Sequence, residues 1–123
     1  AFYAGAREGT AQGGNSAGKM VYRLAEKRCS NFGTCTGAGG MSQVNDALFK
    51  AGGLFAQGRD LLHAGSCSGV RAVVDKIVSI MTVPLVQGTL RYAYKVGNVA
   101  AEQKAKNAAE GSTFAAAVLP MVH

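Results

Sequence analysis

The chain has 123 residues, enough for one domain with a single modest core and too few for two of ordinary size. It is 48% hydrophobic and only 16% charged, and its 17 glycines follow no fixed period, so intrinsic disorder and a collagen-like repeat are excluded; two prolines are too few for a proline-rich linker. Thirteen Lys and Arg against seven Asp and Glu leave a formal charge of +6, which attracts an acidic protein, an anionic lipid surface or a nucleic acid without choosing among them.

Residues 1–14, AFYAGAREGTAQGG, hold no sustained period and read as an extended arm whose Phe2 and Tyr3 serve as anchors. Residues 15–123 read as one helical domain. Asn15 or Ser16 caps a first helix over 16–29, with Ala17, Met20, Val21, Leu24 and Ala25 on one face. A loop rich in Gly, Thr and Ser leads to Ser42, which caps a second helix over 43–63 carrying Val44, Leu48, Leu54, Phe55, Leu61 and Leu62. His63 and Gly65 suit its C-terminal end, and Ser68 caps a third helix through Val70, Val73, Val74, Ile77, Val78 and Met81.

Pro84 breaks that helix and, with Thr82 as cap, opens a fourth whose stripe of Val86, Leu90, Ala93, Tyr94 and Gly97 is expected to pack inside the domain. Gly111 ends it, and Ser112 or Thr113 caps a short last helix limited by Pro120. No strand pattern competes, and each stripe needs the others for burial. The expected product is all-α, an antiparallel bundle of four to five helices with an extended N-terminal arm.

No stretch is long and apolar enough to span a membrane. The longest uncharged interior run, between Lys76 and Arg91, is interrupted by Pro84, Gln87 and Gly88, whereas a spanning helix needs about 20 mostly apolar residues. Peripheral association is then the way this chain would meet a membrane. The first residue is Ala1, as after removal of a targeting segment.

Chemistry-bearing motifs are weak. GGNSAGKM, from Gly13 to Met20, has phosphate-loop spacing, but it lacks the magnesium-binding hydroxyl at Met20 and a strand before it. Cys29, Cys35, Cys67 and His63 do not have zinc-site spacing, and Cys67 with His63 lacks a third group to orient the imidazole. The seven acids show no acid/base pairing, so neither catalysis nor a cofactor is expected. In an up-and-down bundle, a second helix of about 20 residues would hold Cys67 roughly 30 Å from the other two thiols, so Cys29 pairs with Cys35. Three reduced thiols in a reducing compartment are the alternative.

The clearest surface feature is basic. Lys19, Arg23 and Lys27 recur along helix 1 opposite its apolar face, and Arg91 and Lys95 repeat the spacing beside Tyr92; a solvated face is the plain explanation for both. The aromatic residues do not alternate with these cations as a base-stacking strip requires, which weighs against nucleic acid.

The stretch AGGLFAQGRDLLHAGSCSGVRAVVDKI, within residues 43–110, resembles the Ala/Gly-rich, cysteine-punctuated helices of plastid-lumen and secreted proteins of dinoflagellates and related algae. Some of these are similar to peripheral subunits of photosynthetic membrane complexes. The resemblance implies a non-catalytic accessory subunit, docked on a larger, partly acidic assembly on the lumenal side of a photosystem. His63 and His123 are the imidazoles a pigment contact would use. In that setting Phe2 and Tyr3 would enter a partner's apolar pocket, and the cations would orient docking. A free basic module for nucleic acid or anionic lipid is the rival reading.

Overall fold

A computed structural model describes Tyr3 and residues 20–121. Among these residues every regular element is helical: α1 (Val21–Phe32), α2 (Gln43–Phe49), α3 (Leu54–His63), α4 (Cys67–Asn98) and α5 (Ala101–Val118), with 3₁₀ turns at Ala38–Gly40 and Leu119–Met121. The chain is an all-α bundle built on α4, along which α1, α3 and α5 all pack, while α2 bridges α1, α3 and α4. Gly58 lies against Val73 and Gly69 against Leu61, so α3 and α4 run antiparallel; Gly88 against Phe114 and Gly111 against Tyr92 make α4 and α5 antiparallel too.

The helix expected over 16–29 runs over Val21–Phe32 with Met20 at its N-cap, and α4 starts at Cys67 behind Ser66, so Ser68 lies within it rather than capping it. Four further boundaries differ from the sequence reading, each for a local reason. The helix expected over 43–63 is two helices, because Gly52 takes a left-handed φ of 70° and the chain folds back so tightly that a Cβ on Gly53 would come within 2.9 Å of the carbonyl oxygens of Leu48 and Lys50. Conversely, Pro84 does not break α4, which runs unbroken for 32 residues. A proline inside a helix costs about 3 kcal/mol. Here its ring is fully buried within the bundle, so packing offsets the lost hydrogen bond. The chain turns instead at Val99 and Ala100, both extended, where the Asn98 side chain folds back to donate to the Tyr94 carbonyl. Gly111 then sits inside α5, against Tyr92, and Ser112 and Thr113 donate back to the Ala109 carbonyl rather than capping a new helix.

The end built by α1, α2 and α3 is held by a polar lock and an aromatic cluster. Ser42 caps α2 by accepting from the Asn45 backbone N–H at 3.1 Å, in keeping with its place just before the apolar period. The Asn45 side chain, fully buried, donates to the Tyr22 carbonyl at 3.0 Å and to the Glu26 carboxylate at 2.6 Å, and accepts from the Tyr3 hydroxyl at 2.7 Å. Glu26 also accepts from the Ser42 backbone N–H at 3.1 Å, so one α1 carboxylate satisfies an orphan donor at the start of α2. Around this lock the rings of Tyr3, Tyr22, Phe49 and Phe55 pack with centroids 5.0 to 6.5 Å apart, above Leu48, Leu54 and Val73.

Cys29 and Cys35 are joined in a disulfide, with Cα atoms 4.8 Å apart. Gly33, left-handed at φ 67°, ends α1 and turns the chain back so that the two meet. The pairing is the one expected, although the rigid rod invoked to separate Cys67 does not exist, since α2 and α3 are distinct helices. Such a bond persists in an oxidising compartment.

Candidate functional site

Two features of the folded chain stand out, and both centre on α4. The first is an exposed apolar arc. At about 100° per residue, Val83, Val86, Leu90 and Tyr94 fall within about 80° of one another on the side of α4 opposite Gly88 and Tyr92, which face α5. All four are exposed, Leu90 at 55% and Tyr94 at 62%. The sequence reading places Val86, Leu90 and Tyr94 on an inward stripe, which the structure corrects. Gly88 lets Phe114 approach closely enough that α5 settles on the other face, and the stripe is left outside. A helix that is apolar on all sides is normally buried on all sides. Toward the other end of α4, Phe55, Leu62, Val70 and Val74 line an open groove of about 360 Å³ between α3 and α4.

The second feature is a cleft of about 460 Å³ between α1, α4 and α5. Arg23, Lys27 and Arg28 of α1 line it together with Tyr92 of α4 and Glu110 and Phe114 of α5. Burial holds the Arg28 guanidinium below its ordinary pKa, opposed by Tyr92 and Glu110 and reinforced by the like charge of Arg91. The Tyr92 hydroxyl is pushed above its ordinary value, first by the neighbouring Glu110 carboxylate and then by burial. Lys95 lies over the Tyr92 ring, 5.0 Å from its centroid. Of the two basic sets read from the sequence, Arg23 and Lys27 of the first line this cleft, while Lys95 of the second touches it only through the ring of Tyr92.

Arg23 and Arg28 are half-buried, and each has a buried Nε with no hydrogen-bond partner among the described residues. The solvated face expected for Arg23 is thus an inward-looking one, while Lys27 is exposed. Tyr3 is corrected as well. It is 5% exposed within this chain's own core, bonded to Asn45, so it is not offered to a partner's pocket. Phe2, Lys19 and His123, and the phosphate-loop spacing from Gly13 to Lys19, lie outside the described residues.

His63 ends α3 in the solvent, and Cys67 is exposed and unpaired at the start of α4. Among the described residues no three His, Cys, Asp or Glu side chains gather as metal ligands, and no helix is long and apolar enough to cross a membrane. Asp60 pairs with neighbouring Arg59 and Lys50 with Asp46 one turn away; the Arg59 pair is well exposed and the other partly so. Asn45 carries no signal in the sequence, where a polar residue on an amphipathic helix reads as solvent-facing. No family model, curated protein or solved structure matches the chain.

Proposed function

We propose that this protein is a non-catalytic accessory subunit that docks on a larger assembly through the apolar arc of α4. The observation that carries the reading is Val83, Val86, Leu90 and Tyr94, exposed on a helix whose opposite face is already packed by α5. Contiguous apolar surface of this kind marks association sites. Tyr94 is the anchor type enriched at energetic centres of interfaces, and the flanking Gly97, where an added methyl group would meet nothing within 4 Å, leaves room for a close-packed partner. The net charge of +6 favours an acidic partner surface and speeds encounter more than it strengthens the complex. The disulfide suits the lumen of an organelle or the cell exterior, and the resemblance to algal lumenal proteins makes the lumenal side of a photosystem the assembly to examine first.

Sedimentation in gentle, low-salt extracts of the source cells tests this. The wild-type chain should travel in a particle several times its own 12.6 kDa, with a partner in fixed ratio, and Leu90→Glu should release it while leaving its circular dichroism unchanged. Sedimentation of the native chain as a free monomer overturns the reading. Salt-sensitive binding of that monomer to DNA or to acidic vesicles would establish the rival instead.

A further inference from the structure

The cleft between α1, α4 and α5 changes polarity in step along the helices that line it. On α5 the lining runs from Glu110 through Thr113 to Phe114 and Ala117, on α4 from Tyr92 to Leu85, and on α1 from Lys27 and Arg28 through Leu24 and Arg23 at mid-length back to Val21 and Met20. One end is therefore charged and the other apolar. Three cations line the cleft against one carboxylate, and that carboxylate already interacts with Tyr92. The Nε atoms of Arg23 and Arg28 are buried without an acceptor among the described residues, an arrangement that ordinarily costs about 1–3 kcal/mol per group and that an anionic oxygen would relieve. At about 460 Å³ the space falls within the range of roughly 300–1,000 Å³ found for small-molecule sites.

We infer that this cleft binds a single-chain anionic amphiphile, its carboxylate or phosphate head held by Arg23, Arg28 and Lys27 and its tail laid on Leu24, Leu85 and Phe114. Glu110, engaged with Tyr92, marks the far limit of the head-group end; its charge repels an anion placed beside it, so the head sits on the α1 side. Arg28 contributes a charge-assisted donor, and Arg23 orients the head from the middle of the cleft. The site is separate from the apolar arc on the opposite face of α4. Its failure would leave the docking reading untouched.

Titration calorimetry on the intact chain tests this, with dodecanoate and dodecyl phosphate, each below its micelle concentration, to separate a carboxylate source from a phosphate one. Dodecyl maltoside, inorganic phosphate and phosphatidylglycerol vesicles serve as the contrasting probes. At least one of the two anionic amphiphiles should saturate a single site. Arg28→Gln and Ala117→Trp, the first removing the head contact and the second filling the tail end from an exposed position, should each weaken it about tenfold, and Lys104→Gln should leave it unchanged. Equal affinity for dodecyl maltoside overturns the role of the cations, and equal affinity for inorganic phosphate overturns the role of the tail. Binding to vesicles alone, no binding, or affinity indifferent to both Arg28→Gln and Ala117→Trp overturns the site.

Discussion

The two halves of this molecule are stabilised in opposite ways. From α1 to α3 the helices are short, 12, 7 and 10 residues, and each is tied to its neighbours by a directional contact: the Asn45 lock, the Ser42 cap, the disulfide and the ring cluster around Tyr3. The hairpin of α4 and α5 has long helices, and its meeting faces rest on close approach at Gly88 and Gly111, the stacked pair Tyr92 and Phe114, and little else that is directional. The first half buries Tyr3, Tyr22, Leu48 and Leu54, although Phe32, Phe55 and Leu62 stay exposed. The second leaves Val83, Val86, Leu90 and Tyr94 outside. Short helices are marginal in water and need such ties, whereas a 32-residue helix can hold its shape with one face uncovered, and that is what makes α4 suited to present a docking surface.

If the polar lock is what holds the first half, Asn45→Ala should be the most damaging single change. It removes three side-chain hydrogen bonds and strands the buried Tyr3 hydroxyl, a loss of about 3 kcal/mol or more against a total stability of about 5–15 kcal/mol. Urea denaturation should show it as a lower midpoint. The same lock sets an alkaline limit. Burial, reinforced by the Glu26 charge, holds the Tyr3 and Tyr22 hydroxyls above their ordinary pKa of 10.0, so both stay neutral in the folded chain at a pH where the unfolded chain ionises. Stability should therefore be complete below about pH 10 and fall as pH rises beyond it. A thermal midpoint that stays level from about pH 9 to about pH 11 would contradict this.

Opening the disulfide should rank next. Its loop is short, with a sequence separation of 6, so Cys29→Ser with Cys35→Ser should cost about 2 kcal/mol in the chain-entropy model. The loss should be seen in urea without any change in helical content of α4 and α5. The smallest effects should come from two glycines of one helix, and with opposite signs. A methyl group at Gly88 would lie 3.0 Å from the Phe114 ring, and overpacking of about 2 kcal/mol should outweigh a helix-propensity gain of about 1, leaving Gly88→Ala less stable. At Gly97 a methyl group meets nothing within 4 Å, so Gly97→Ala should gain up to about 1 kcal/mol.

The contrast between halves also decides how much can be read from the sequence. Helix existence is legible throughout, because amphipathic spacing is a local property, and Ser42 as cap follows from a local signal; the Cys29–Cys35 pair is right, but the single helix over 43–63 it is argued from is two helices. Boundaries are not. Gly52 with Gly53 is a breaker pair that the apolar period hides, while Pro84 and Gly111 read as stops although the buried Pro84 ring and the Gly111 contact with Tyr92 make them packing positions. The direction of the α4 stripe is illegible in principle, since two apolar stripes on one helix compete for one neighbour and Phe114 against Gly88 decides the outcome. Tyr3 and Asn45 join across 42 positions of sequence, a distance at which spacing carries no information.

The docking face itself can be examined directly by hydroxyl-radical footprinting of the chain in its native extract against the purified chain. With the arc covered, Leu90 and Tyr94 should react roughly fivefold more slowly in the extract, the protection expected of residues at the dry centre of an interface, while exposed residues away from it, such as Leu62 on α3, keep their rates. Equal labelling of Leu90 and Tyr94 in the two states would contradict the assignment of α4 as the surface by which this protein docks.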